Sequence, residues 1–114
     1  MQRVCFQLQV KPESIEAYRE SHAAVWPEML LALRETGWSN YSLFLRPDGL
    51  VIGYFETEDL ARTLAAMAAT DVDARWQRSM GHLFAADGPR VTGDASGLAT
   101  LTEVFNLDAQ LARL

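Results

Sequence analysis

The sequence predicts an α+β domain whose elements run βαββαβ, and three observations carry that expectation. Residues 4–10 alternate in character, with Val4, Phe6, Leu8 and Val10 on one face and Cys5, Gln7 and Gln9 on the other. A Pro-Asp-Gly turn joins two short strand-like runs near the middle of the chain. On both sides of that hairpin, apolar residues recur at helical spacing.

Taken in order, residues 4–10 form a first strand with one face on a core. Pro12 suits the first turn of a helix, and Ile15, Tyr18, His22 and Val25 follow at spacings of three and four. Pro27 interrupts the pattern. A residue before proline avoids helical dihedrals, so a break is expected near Trp26. A second helical segment, 27–36, carries Met29, Leu30 and Leu33 and closes at Gly37.

Residues 41–45 and 50–55 then flank Arg46-Pro47-Asp48-Gly49, which gives a hairpin with sound turn chemistry. The 57–69 stretch reads as a helix capped by Thr57, with Glu58 and Asp59 in its first turn and a stripe of Leu60, Leu64 and Met67. Thr70 and Asp73 resemble a capping box that restarts a helix through Trp76, Met80 and Leu83. Residues 86–97, rich in Gly, Asp and Pro, read as a loop, and a last strand near 99–107 closes the domain.

This order is the ferredoxin-like split βαβ arrangement. A single four-stranded sheet with its helices on one face leaves the other face uncovered, so pairing with a second subunit is expected. A chain of 114 residues fits one domain, residues 1–114. Its 49% hydrophobic and 22% charged residues argue for a globular chain rather than a disordered one.

Charge narrows the partners. The net charge is −5 and Lys11 is the only lysine, so there is no basic stripe for nucleic acid or an anionic membrane. Cys5 stands alone and has no internal disulfide partner; a buried structural thiol is its expected role. No charged segment followed by an apolar run opens the sequence, and no apolar stretch approaches the roughly 18 residues of a membrane span. A cytoplasmic protein is therefore expected.

The residues with chemical promise lie on the helix after the first strand, in Tyr18-x-x-x-His22-x-x-x-Trp26-Pro27-Glu28. Residues four apart share a helix face, so Tyr18 and His22 project together and Trp26 continues the row to the break. A phenol, an imidazole and an indole on one face would line a small polyol pocket, since aromatic planes stack on a sugar's apolar side and the polar atoms exchange hydrogen bonds. Each residue also has an ordinary explanation. A lone helical histidine is usually solvated, and Tyr18 and Trp26 taken singly fit a core or an interface.

Other features are weaker. His82 near a helix end fits a dipole interaction. Trp76 on an amphipathic helix fits a core, and Glu103 fits an exposed strand face. Two histidines 60 positions apart and one cysteine do not make a metal site. No phosphate-cradling glycine loop and no nucleophile elbow are present.

Across nearly its whole length the sequence resembles the L-rhamnose mutarotases. The resemblance rests on the first strand ending in Gln9-Val10, on Tyr18-x-x-x-His22 with Trp26-Pro27-Glu28, on Asn40-Tyr41-Ser42-x-Phe44-Leu45, on Thr70-Asp71-Val72-x-x-Arg75-Trp76, and on Glu103-Val104-Phe105. It implies a dimeric α+β barrel of ferredoxin-like subunits and a homodimer. It also implies a sugar substrate, no cofactor or metal, His22 as general acid/base, and Tyr18, Trp76, Trp26 and Tyr41 as substrate-binding residues. Two positions depart from the family pattern. Gln77 stands where a second tryptophan follows the one at Trp76, and Ser79 replaces an aromatic one turn on. An amide in place of an aromatic plane bears on which sugar is bound more than on the reaction.

The implied reaction opens and recloses a pyranose ring, interconverting its α- and β-anomers without net redox change. Histidine suits it, because an ordinary pKa of about 6.5 lets the ring take and give protons near neutrality. Three other readings compete: the same chemistry on another 6-deoxyhexose such as L-fucose, a dimeric α+β barrel monooxygenase, and a non-catalytic sugar-binding protein.

Overall fold

A computed structural model describes residues 1–86 and 98–114. Its elements are β1 (Gln2–Gln9), α1 (Ile15–Ala23), α2 (Pro27–Thr36), β2 (Ser39–Leu45), β3 (Leu50–Thr57), α3 (Leu60–Ala68), α4 (Asp71–Met80), β4 (Thr100–Leu101) and α5 (Leu107–Leu111). The four strands form one antiparallel sheet in the order β2-β3-β1-β4. This is the expected α+β, ferredoxin-like arrangement.

The alternation in β1 decides which face is buried. Val4, Phe6, Leu8 and Val10 lie in the core beneath the helices, and β3 adds Val51 and Phe55. Phe6 pairs in register with Gly53, and its ring lies over that glycine, where a β-carbon would come within 2.3 Å of Phe6 Cζ. The missing side chain is thus the space that the phenyl ring fills. The opposite face carries Cys5, Gln7, Ile52 and Tyr54, with Phe44 64% and Leu101 42% exposed beside them. Cys5 is half-buried on this open face rather than in the core.

The helix boundaries follow local chemistry. Pro12–Ser14 make a 3-10 turn before α1, and Trp26 adopts ψ 132° ahead of Pro27, which opens α2. Gly37 ends α2 at φ 109°, where its N–H donates to the Arg34 carbonyl and the Trp38 N–H donates to that of Leu33. This pair of bonds is a Schellman ending, which folds the next hydrophobic residue back against the helix. In the hairpin turn Arg46 and Asp48 form an ion pair at 2.6 Å, and Gly49 takes φ 93°.

Two expectations are corrected. Asp59, not Thr57, caps α3: its Oδ1 accepts from the Arg62 N–H at 3.1 Å. β3 runs on to Thr57, whose hydroxyl is fully buried and hydrogen-bonded to Thr63 at 2.7 Å. The last strand is short. Only Thr100 and Leu101 pair with β1, and residues 102–106 leave the sheet. Asn106 accepts from the Ala109 N–H at 2.8 Å and starts α5, a local cap that ends the extended run. Finally, of the loop expected at 86–97 only Ala86 falls within the described residues. Among those residues no helix is long and apolar enough to cross a membrane.

Candidate active site

Between the sheet and helices α1, α2 and α4 lies a cavity of about 510 Å³, within the range of about 300–1,000 Å³ usual for small-molecule sites. Tyr18, His22, Tyr41 and Trp76 all line it. So do Leu8 from the sheet, Met29 and Leu33 from α2, Leu64 and Met67 from α3, and Phe84 after α4. The walls are therefore mainly apolar and aromatic, with a few convergent polar groups.

The helical row expected in α1 is present. The Tyr18 and His22 rings stack at 4.0 Å, and the His22 ring meets Trp76 edge-to-face at 5.3 Å. His22 Nδ1 lies 2.9 Å from the Tyr18 carbonyl and 2.9 Å from Ser21 Oγ. A carbonyl can only accept, so Nδ1 carries the proton and the neutral ring keeps its lone pair on Nε2. Burial pushes the His22 pKa below its ordinary value, against the opposing pull of the Tyr18 carbonyl. The ring is therefore a neutral base at physiological pH.

The two tyrosines act differently. Burial raises both phenols well above their ordinary pKa, and at Tyr41 the nearby Tyr18 adds to the effect. Both stay protonated and serve as hydrogen-bond groups rather than bases. The Tyr18 hydroxyl is buried and has no hydrogen-bond partner among the described residues. Such a group needs a partner that a polyol supplies.

Trp26 is not among the residues lining the cavity. It packs edge-to-face on Trp76 at 5.0 Å, with the Arg75 guanidinium 5.9 Å from its ring centre. Arg75 also forks onto Glu28 at 2.8 and 2.9 Å and reaches Asp71 at 2.8 Å. The Arg75 guanidinium holds the Glu28 carboxyl below the usual range. Glu28 and Arg75 thus tie the start of α2 to α4 and set Trp76 in place. Glu103 pairs with Arg3 at 2.7 Å at the sheet edge, and His82 is exposed after α4; neither lines the cavity. Gln77 does line it, whereas Ser79 is exposed and does not.

Two further wall residues escaped the sequence reading. Trp38 is buried, stacks on Phe55 at 4.1 Å and has an indole N–H without a partner among the described residues. Its signal was available: it directly follows Gly37, the position a Schellman ending turns inward. Asp73 shares a helix stripe with Trp76 and Gln77, at spacings of three and four. Among the described residues, no three His, Cys, Asp or Glu side chains cluster as metal ligands would.

The fold and this cavity define a class: small ferredoxin-like α+β domains with a cavity between sheet and helices. Solved structures share the fold, among them an L-rhamnose mutarotase from Formosa agariphila (TM-score 0.72, 20% identity, 94% of this chain and 99% of that one). An antibiotic biosynthesis monooxygenase also shares it (TM-score 0.60, 21% identity, 92% and 100%). Within that class the chain belongs to the L-rhamnose mutarotase family, whose model matches residues 3–107. The L-rhamnose mutarotase of Oceanobacillus iheyensis is 34% identical over 95% of this chain and 100% of its own. That of Bacillus subtilis is 38% identical over 87% and 91%.

Proposed function

We propose that the protein is an L-rhamnose mutarotase, an isomerase that interconverts the α- and β-anomers of the sugar without a cofactor. Family membership supports the reading, and one observation carries it: a half-buried imidazole, pinned through Nδ1 to the Tyr18 carbonyl, in the wall of an aromatic cavity of sugar size. Nε2 takes the proton of the anomeric hydroxyl as the bond between the anomeric carbon and the ring oxygen breaks. The imidazolium gives that proton to the ring oxygen, leaving the open-chain aldehyde. Rotation of the aldehyde and the reverse steps close the ring on the other face. Trp76 supplies a plane for the sugar, and Tyr18 and Tyr41 supply hydroxyls. Trp26 supports Trp76 from behind.

Saturation-transfer NMR of anomeric exchange tests this, with L-fucose as the comparison sugar because Gln77 replaces an aromatic plane. Faster exchange of L-rhamnose is expected. Its pH profile follows from His22: only the neutral ring is a base, and its pKa lies below the ordinary 6.5. Activity therefore persists as pH falls to 6.5 and disappears on a single protonation below it. An acid limb above 6.5, or none, speaks against His22 as the base.

A homodimer belongs to the same proposal. Its supports are the open sheet face with Phe44 64% exposed, and a C-terminal segment with Val104 at 92% and Phe105 at 61%. Sedimentation should give twice the chain mass, and Phe44→Glu, which puts a charge on that face, should shift the protein to the monomer. A wild-type monomer would refute the pairing. A cytoplasmic location and a single unit over residues 1–114 complete the reading; Cys5 as an unpaired thiol favours a reducing compartment.

A further inference from the structure

The two acids in the first turn of α4 have different surroundings. Asp71 points to an ion pair with Arg75 at 2.8 Å. Asp73 occupies the position from which a capping-box carboxylate reaches back to the N–H of the cap residue. Here that N–H is already taken, because Thr70 donates it to the Met67 carbonyl at 3.0 Å. Asp73 contributes to the cap only through its own N–H, which donates to Thr70 Oγ1 at 3.2 Å. Asp73 instead lines the cavity, and its Oδ1 accepts one long bond of 3.3 Å from Gln77 Nε2.

A carboxylate accepts at about four lone-pair sites and donates at none. Asp73 is only partly exposed, in a wall built mostly from aromatic and aliphatic side chains, and has one weak side-chain donor among the described residues. Burial accordingly pushes its carboxyl pKa up, with the Gln77 amide pulling the other way. Among the described residues that line the cavity it is the one acid.

We propose that Asp73, oriented by Gln77, is a specificity-determining residue that reads the sugar's hydroxyl pattern, its carboxylate accepting from a ring hydroxyl other than the anomeric one. The inference rests on the mutarotase reading, which puts the anomeric centre at His22. Asp73 and Gln77 then recognise by hydrogen bonding what an aromatic plane at position 77 would only stack against. Sites built to bond a hydroxyl reject analogues that lack it far more strongly than apolar pockets reject shape changes.

The experiment measures KM and kcat for anomeric exchange in wild type, Asp73→Asn and Gln77→Ala. The substrates are L-rhamnose and its analogues with one non-anomeric hydroxyl replaced by hydrogen. A hydrogen bond to a charged group predicts that Asp73→Asn raises KM for L-rhamnose about ten- to a hundredfold with little change in kcat. One analogue should show at least that penalty with wild type and a clearly smaller further penalty with Asp73→Asn, since the variant has already weakened, from a charged to a neutral acceptor, the bond that the analogue lacks. Gln77→Ala should raise KM by less. The Asp73→Asn change leaves the backbone cap to Thr70 in place, because the N–H that makes it is unaltered. The wild-type analogue series needs no variant at all: if no single analogue loses tenfold, the assignment is overturned. It is equally overturned if Asp73→Asn matches wild type. Absence of exchange in wild type would overturn the mutarotase reading itself, and this assignment with it.

Discussion

His22→Ala lowers the enzyme's acceleration of anomeric exchange by about 10²–10⁴-fold, the usual worth of one positioned general acid or base. The loss falls on kcat, because Tyr18, Tyr41 and Trp76 still hold the sugar. Its origin is the geometry of α1. A carbonyl oxygen has two lone pairs, so that of Tyr18, one helical turn before His22, can accept from the imidazole as well as from the helix. At 2.9 Å it fixes which ring nitrogen is free. His22→Asn keeps a polar group of similar reach but no titratable one, and should be as inactive. Melting curves unchanged from wild type would show that the fold survives, since His22 is only half-buried. Exchange at the wild-type rate in either variant would remove His22 from the mechanism.

Phe6→Ala destabilises the fold by about 3–5 kcal/mol. Phe6 is fully buried, contacts Phe55 at 5.9 Å and Tyr41 at 6.2 Å between ring centres, and covers Gly53. Truncation opens a void that no neighbouring side chain can fill. For a domain with a typical stability of about 5–15 kcal/mol this is a large share. The reciprocal change, Gly53→Ala, inserts a methyl group into the ring and belongs to the same experiment. Chemical denaturation with a single transition measures both, and a loss below about 1 kcal/mol for Phe6→Ala would mean that the site collapses freely.

The alternation in β1, the break before Pro27 and the turn at Arg46-Pro47-Asp48-Gly49 made most of the fold legible, because each is a local signal that the packed chain also obeys. Thr57 misled because two cap-competent residues stand close together and strand pairing claimed the first. The last strand misled because the β-prone residues Thr102, Val104 and Phe105 follow Leu101, while only Thr100 and Leu101 pair with β1 and Asn106 turns the chain into α5. Tyr18 and His22 were legible from helical spacing, and their stacking at 4.0 Å follows from it. Tyr41 from β2, Trp38 from the link between α2 and β2, and Asp73 from α4 enter the same cavity. Such convergence depends on tertiary packing, which no spacing within one element reports.

The contact of Arg75 with Glu28 and Asp71 bears on how this cavity can change over evolutionary time. The Glu28–Arg75 pair links α2 to α4 at the surface, whereas Met29, Leu33, Leu64 and Met67 line the cavity inside. The link between the helices and the cavity lining are thus built from separate residues. A lineage drifting toward a bulkier or smaller sugar can exchange inner side chains one at a time without loosening the frame that orients Trp76, and can retune hydroxyl preference at Asp73 and Gln77 without touching either.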